Sequence, residues 1–247
     1  MKIFDTHFHI IDFDFNVKEN NGYMPPSYVI EDYKKETKDL DIVGGAIVSG
    51  SFQGFDQDYL VKALKEIGPG FYGVTQLPYT VSDNEILRLH SSGVRALRFN
   101  VKRGGSENLS HLKDFAERVY DLVGWHSELY IDSKNLPDIE KTILSLPAVS
   151  IDHLGLSKEG LPSLLKLVDK GVHVKATGFS RVNLDVSQSM KEIYNTNPNA
   201  LMFGTDLPST RASRRFSTQD IKIIENTFDE EACHKIFYKN ALNWYQK

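Results

Sequence analysis

Short apolar runs rich in β-branched residues alternate along the chain with longer stretches whose apolar residues return every three or four positions. The first pattern predicts strands, the second amphipathic helices. The runs at 2–7, 44–49, 71–76, 94–100, 128–132, 148–153, 172–178 and 200–206 make eight strands. Between them, Leu112, Phe115, Ala116, Val119, Leu122 and Val123 share one helical face, and Gly124 stands where that helix should end. Leu161, Leu164, Leu165 and Val168 do the same ahead of Gly171. Strands alternating with helices require a parallel sheet with right-handed crossovers. Eight such units in 247 residues predict an α/β fold, a (β/α)8 TIM barrel forming a single domain over 1–247. An open doubly wound sheet is the competing topology, but no G-x-G-x-x-G opens any unit.

Several of the apolar runs end on polar residues. The stretch DTHFHI (5–10) places His7 and His9 two apart, so that their side chains leave a strand on the same face. His153 ends the sixth run in SIDHLG, and Asp206 ends the eighth in FGTDLP. In a barrel, the C-terminal strand ends and the loops after them meet at one rim. Three histidines and an aspartate gathered there can bind a divalent ion, or activate water without one. Each has a plainer reading alone: a hydrogen-bonded structural histidine, or, for Asp206, a helix N-cap. Two polar groups on the core side of one strand seldom occur without a use. All four at rim positions predict an active site. His90, His111, His126, His173 and His234 fall in helical segments, near their ends or at a strand start, and are set aside.

Composition narrows the partners. Hydrophobic residues make up 40% and charged residues 25%, an ordinary globular balance, and the formal charge of −4 gives no reason to expect nucleic acid. The N-terminal segment lacks a signal-type apolar region, and no apolar run is long enough to span a membrane. The single cysteine, Cys233, excludes an internal disulfide framework. The expectation is a cytoplasmic protein acting on a small molecule, with no membrane or nucleic-acid partner and its oligomeric state open.

The pieces DTHFHI, GYMPPSY, VRALRFNVKRG, IDHLG, VKATGFSR, FGTDLP and NALNWY span nearly the whole chain. In that order they resemble the amidohydrolase superfamily, its amidohydrolase-2 branch, and within it the lactonases similar to 2-pyrone-4,6-dicarboxylate hydrolase. The resemblance implies a TIM-barrel hydrolase that opens the ester ring of a carboxylate-bearing or sugar lactone by water attack. Binuclear members carry a bridging lysine or glutamate after strand four and a histidine after strand five. Here those places read RALRFN and LYIDS, with Asp132 where the histidine would stand. That departure points away from a binuclear centre and from the zinc-dependent decarboxylases of the branch. The lactonase-like group shares it, and some of its members work without an essential metal.

The roles implied make Asp206 the base and later the acid. His153 polarises the carbonyl, assisted by His7 and His9. One divalent ion, zinc first among candidates, would take His7, His9 and Asp206 if a metal is bound at all. Tyr23, Arg98, Arg103 and Arg181 match substrate-binding positions, although the spacing to Arg103 differs by one residue. Two other readings stay open: a mononuclear zinc-dependent decarboxylase or amide hydrolase, and a barrel that only binds an anionic ligand. Arg211, Arg214 and Arg215, in STRASRRF, are assigned to a solvated helix face in preference to a phosphate site. The long first loop, 11–30, has the length to fold over the mouth as a lid.

Overall fold

The computed structural model describes residues 1–246. Eight strands, β1 (Ile3–Phe8), β2 (Ile42–Val48), β3 (Phe71–Thr75), β4 (Val94–Phe99), β5 (His126–Leu129), β6 (Val149–Ile151), β7 (His173–Ala176) and β8 (Leu201–Phe203), lie side by side in chain order. Every ladder between them is parallel. The crossovers are α1 (Ile30–Glu36), α2 (Asp58–Ile67), α3 (Asp83–Ser91), α4 (Leu112–Val123), α5 (Glu140–Ser145), α6 (Leu161–Asp169) and α7 (Val186–Thr196). Three more helices, α8 (Thr218–Thr227), α9 (Glu230–His234) and α10 (Asn240–Tyr245), follow the last strand. This is the expected (β/α)8 barrel. Gly124 ends α4 in the left-handed conformation, φ 73°, as its position in the apolar pattern predicts.

The seam between β8 and β1 is sealed just beyond the end of β8. There the His9 amide donates to the Leu207 carbonyl and the Asp206 amide to the His7 carbonyl, both at 2.7 Å. The buried Asp5 carboxylate accepts from the Thr205 amide at 2.8 Å, the Thr205 hydroxyl at 2.7 Å and the Tyr33 hydroxyl at 3.0 Å. Gly204 makes this closure possible, because a Cβ there would lie 2.7 Å from the His7 nitrogen.

The main core fills the space between strands and helices. A second, smaller core lies inside the barrel, where Phe4, Ala46, Val74, Ala96 and Met202 meet Trp244 and Tyr245 of α10. The Tyr245 ring stacks on Phe4 at 5.4 Å and on Tyr72 at 6.0 Å. The end of the chain thus plugs the barrel floor, a burial worth roughly 2–3 kcal/mol for an aromatic side chain of this size.

The strands are shorter than the apolar runs at their C-terminal ends. β6 and β8 stop at Ile151 and Phe203, ahead of the His153 and Asp206 that close the runs. These two residues take left-handed backbone angles, φ 51° and 60°, incompatible with a continuing ladder. The chain leaves the sheet in order to aim them. β5 runs from His126 to Leu129 instead of 128–132, so Tyr130 is the first residue past its end.

Candidate active site

His7, His9, His153 and Asp206 converge at the C-terminal mouth of the barrel, all buried. The His7 ring lies 5.1 Å from that of His9 and 4.8 Å from that of His153, centroid to centroid. His7 Nε2 is 3.9 Å from Asp206 Oδ1, and His7 Nδ1 is 3.5 Å from Asp152 Oδ1. Gly178, at φ 59°, permits the convergence: a Cβ there would come within 2.8 Å of His153 Nδ1 and 3.0 Å of Asp206 Oδ2. Asp206 caps no described helix; its carboxylate is paired with Arg181 and turned toward His7.

Each group is held by a neighbour. His9 Nδ1 lies 2.6 Å from the Val48 carbonyl, so this nitrogen carries the proton and Nε2 is the lone-pair nitrogen. His153 Nδ1 is 2.7 Å from the Thr177 hydroxyl. Arg181 forks Asp206, with Nε at 2.6 Å from Oδ2 and Nη2 at 3.2 Å from Oδ1. Burial depresses the basicity of all three imidazoles, those of His9 and His153 well below the usual histidine value. The neighbouring cations Arg98 and Arg181 push His9 and His153 further down. Both are therefore neutral near pH 7, able to accept a proton or donate a hydrogen bond without a charge of their own.

His7 differs from its neighbours. Both its ring nitrogens, like Asp152 Oδ1, are buried without a hydrogen-bond partner among the described residues. Orphaned polar atoms are costly, and the two His7 nitrogens look toward two different carboxylates, Nδ1 toward Asp152 and Nε2 toward Asp206. Ligand atoms of His7, His9 and Asp206 all lie within 4.8 Å of one another, as do those of His7, Asp152 and His153. Two imidazoles and a carboxylate suit a divalent ion, so the first set fits one, and an ion would supply His7 with a partner.

The four expected substrate residues fare differently. Arg98 is almost fully buried and engaged: Nη1 donates to the Ser49 carbonyl at 2.6 Å and Nη2 to Asp152 Oδ2 at 2.8 Å. Arg98, Arg103 and Arg181 all line the mouth, together with His9, His153, Tyr130 and Arg211. Tyr23 reaches the rim from the first loop and lies under the Arg211 guanidinium, 4.5 Å from its carbon. This cavity holds about 30 Å³ and adjoins an outer basin of about 620 Å³ that shares Arg103, Tyr130, Arg181 and Arg211.

Three features escaped the sequence reading. Asp152, next to His153, is the carboxylate on which His7, Arg98 and Lys175 converge. Burial opposes its charge, but these neighbours hold it well below the usual carboxylate range. Tyr130, at the end of β5, sits edge-on to His153 at 4.8 Å and 5.5 Å from the Arg98 guanidinium. It, and not Asp132, faces the mouth after strand five. Asp132 lies further out, held by Ser157, Lys102 and the Lys134 amide. Finally, Arg211, Arg214 and Arg215 precede α8 and lie on no helix. Left-handed angles at Ser209 and Arg211 (φ 63° and 59°) keep that segment a loop. Arg214 pairs with Asp220, Arg215 with Glu36, and Arg211 turns to the mouth.

The chain is similar to a 2-pyrone-4,6-dicarboxylate hydrolase of Comamonas testosteroni, 31% identical over 150 residues, which are 60% of this chain and 47% of that protein. It thus aligns with about half the length of this relative. It is also similar to a 4-sulfomuconolactone hydrolase of Rhizobium radiobacter, 27% identical over 229 residues, 83% of this chain and 75% of the relative. Among solved structures, the fold matches a probable 2-pyrone-4,6-dicarboxylic acid hydrolase of Acinetobacter baumannii, crystallised with citric acid. The TM-score is 0.85 at 22% identity, covering 100% of both chains. It also matches a zinc-bound amidohydrolase of Burkholderia multivorans, with a TM-score of 0.79 at 13% identity over 100% of this chain and 99% of that one. No helix among the described residues is long and apolar enough to cross a membrane. The family model for amidohydrolases matches residues 4–247, and the chain belongs to the amidohydrolase family.

Proposed function

We propose that the protein is a hydrolase that opens a carboxylate-bearing lactone at the barrel mouth. One observation carries the reading: a buried carboxylate, Asp206, faces neutral imidazoles beneath a mouth lined by arginines. Ester hydrolysis needs a base for water, a donor for the developing oxyanion and a proton for the leaving oxygen. Asp206 takes the proton from water and returns it to the alkoxide that leaves. The Thr177 hydroxyl, donating to His153 Nδ1, sets the tautomer with hydrogen on Nε2, which donates to the carbonyl oxygen. Arg181 binds Asp206 through Nε and Nη2 and lies against Tyr130, and its N–H groups that face the mouth can reach a substrate carboxylate. Arg98 acts through Asp152, holding it against His7. When a divalent ion is bound, His7, His9 and Asp206 hold it, and it supplies Lewis acidity.

Both curated relatives are named as hydrolases of acidic ring compounds, which favours a carboxylated lactone over a sugar lactone as substrate. Asp206→Asn removes the base while keeping the shape. The kcat of proton release from 2-pyrone-4,6-dicarboxylate or another carboxylated lactone should fall about 10²–10⁴-fold, with the circular dichroism spectrum unchanged. Hydrolysis by this variant at the wild-type rate would overturn the assignment.

A further inference from the structure

Strand β1 breaks register just where it carries its first histidine. From Asp5 to Phe8 it advances three residues while β2 advances two, from Gly45 to Ile47, so one residue of Thr6–His7 is bulged out of the ladder. A bulge bends its strand and re-aims the side chains it carries. The ladder no longer fixes that aim, and Thr6 is tied down by other means. Its hydroxyl donates to the Phe203 carbonyl at 2.8 Å, and its carbonyl accepts from Lys175 Nζ at 2.9 Å. Lys175 stands on β7, two strands away across β8, and reaches this carbonyl through the barrel interior.

The same ammonium faces the carboxylate beside His7. Lys175 is fully buried, and two of its three hydrogens are taken by the Thr6 carbonyl and by Glu128 Oε2, the latter at 2.5 Å. The third remains, and Asp152 Oδ1 lies 3.9 Å from Nζ. That oxygen has no hydrogen bond among the described residues and is 3.5 Å from His7 Nδ1, while Arg98 holds Oδ2 at 2.8 Å. The His7 ring has no hydrogen bond of its own, so its aim depends on its backbone and on this carboxylate. Lys175 reaches both. Stability does not call for a charge here. The interior core, Val74, Ala96 and Met202 among it, is otherwise apolar, and an apolar pair of similar volume is often as stable as a buried ion pair or more so. We propose that Lys175 is a positioning residue, holding the Thr6 carbonyl and Asp152 so that His7 stays aimed into the mouth. What His7 serves there rests on the lactonase reading, but the grip itself is tested without turnover.

Lys175→Met alone strands the Glu128 charge, so Glu128→Gln is made with it. Amide hydrogen exchange of chelator-treated protein, followed by NMR, reads the grip. In the double variant the amides of residues 6–9 should exchange about tenfold faster relative to those of α4 and α6, which serve as the global reference. On a carboxylated lactone, kcat should fall about 10–10²-fold with KM within about twofold of wild type, because aim is lost and no substrate contact is. Tyr245→Phe is the control. It removes the hydroxyl that donates to Glu128 and leaves every Lys175 contact in place, so kcat and the exchange at 6–9 should stay within about twofold of wild type. The assignment of Lys175 is overturned if exchange at 6–9 rises no more than elsewhere, or if the double variant keeps the wild-type kcat. It is also overturned if Tyr245→Phe loses as much kcat as the double variant, because Lys175 then acts only through stability. A protein that loosens at 6–9 in the double variant but hydrolyses no lactone loses the lactonase reading and keeps the grip. One that hydrolyses lactones with both readouts indifferent to Lys175 does the reverse.

Discussion

Two polar clusters lie inside this barrel, and they are finished differently. The lower one is built from Lys175, Glu128, His126 and Tyr245. Lys175, fully buried, donates to Glu128 Oε2 at 2.5 Å and to the Thr6 carbonyl at 2.9 Å. The other Glu128 oxygen lies 3.0 Å from His126 Nε2 and accepts from the Tyr245 hydroxyl. Burial alone would raise the Glu128 carboxyl, but Lys175 and His126 bring it down to about 2. The upper cluster, at the mouth, leaves His7 and one Asp152 oxygen without hydrogen bonds and two arginines, Arg103 and Arg211, without carboxylates among the described residues. Lys175 joins the two, since its Nζ is also 3.9 Å from Asp152 Oδ1. Where every donor meets an acceptor, the cluster is architecture. Where partners are missing, the protein is built to receive something.

The strongest way to break this contrast is Lys175→Met. It should act on stability first, because it leaves the buried Glu128 charge without its ammonium partner. A loss of about 3–5 kcal/mol is expected, seen as a fall in Tm of roughly 10 °C or more for a chain of this length. Lys175→Met combined with Glu128→Gln should recover a large part of that loss, since the buried charge goes with its partner. A single variant as stable as wild type would mean that the lower cluster is not structural.

Protonation offers a second separation. His9 and His153 are neutral in the folded protein, with affinities for a proton well below the ordinary value of 6.5. As pH falls through 6.5, the unfolded chain takes up these protons first, so folding stability falls with pH. The slope is up to about 1.4 kcal/mol per pH unit for each histidine. Urea unfolding of chelator-treated protein at pH 7 and pH 5 measures it. His9→Gln combined with His153→Gln should flatten the slope, and an unchanged slope would show that the mouth histidines are not held neutral.

The two clusters also differed in how far the sequence revealed them. His7, His9, His153 and Asp206 were legible because each interrupts or ends an apolar run at the catalytic end of a strand. Glu128 and Lys175 were not, although they stand within expected strands, because a charged residue in a strand reads by default as facing water. Strands of a parallel barrel are covered on both faces, so a lysine amid VHVKATG was itself the available signal. Tyr130 was hidden by an error of register, since placing strand five at 128–132 put it inside the ladder. Arg98 was found, but its fork is turned to Asp152, a pairing no local pattern discloses. Arg211 was assigned, with Arg214 and Arg215, to a solvated helix face. The left-handed backbone at Ser209 and Arg211 is a tertiary outcome: Arg211 reaches Asn20 of the first loop, and the Ser209 hydroxyl accepts from the Phe216 amide.

The smallest expected effect gives the sharpest test, because it asks whether one mouth hydrogen bond serves chemistry more than stability. Thr177→Val is nearly isosteric and removes only the hydroxyl 2.7 Å from His153 Nδ1. In the mechanism proposed above, His153 then loses the donor that sets its tautomer, and the form with hydrogen on Nδ1 presents a lone pair where the carbonyl oxygen needs a donor. Since about half of the enzyme can still hold the productive tautomer, kcat should fall by only about twofold, equivalent to ~0.4 kcal/mol of transition-state stabilisation. KM should not change, because no substrate contact is removed. Thr177→Ser restores the hydroxyl and should restore kcat, whereas a purely packing role for Thr177 predicts that serine, the smaller residue, does worse than valine. The two readings therefore rank the same pair of variants in opposite order, and steady-state kinetics on a single carboxylated lactone decides between them.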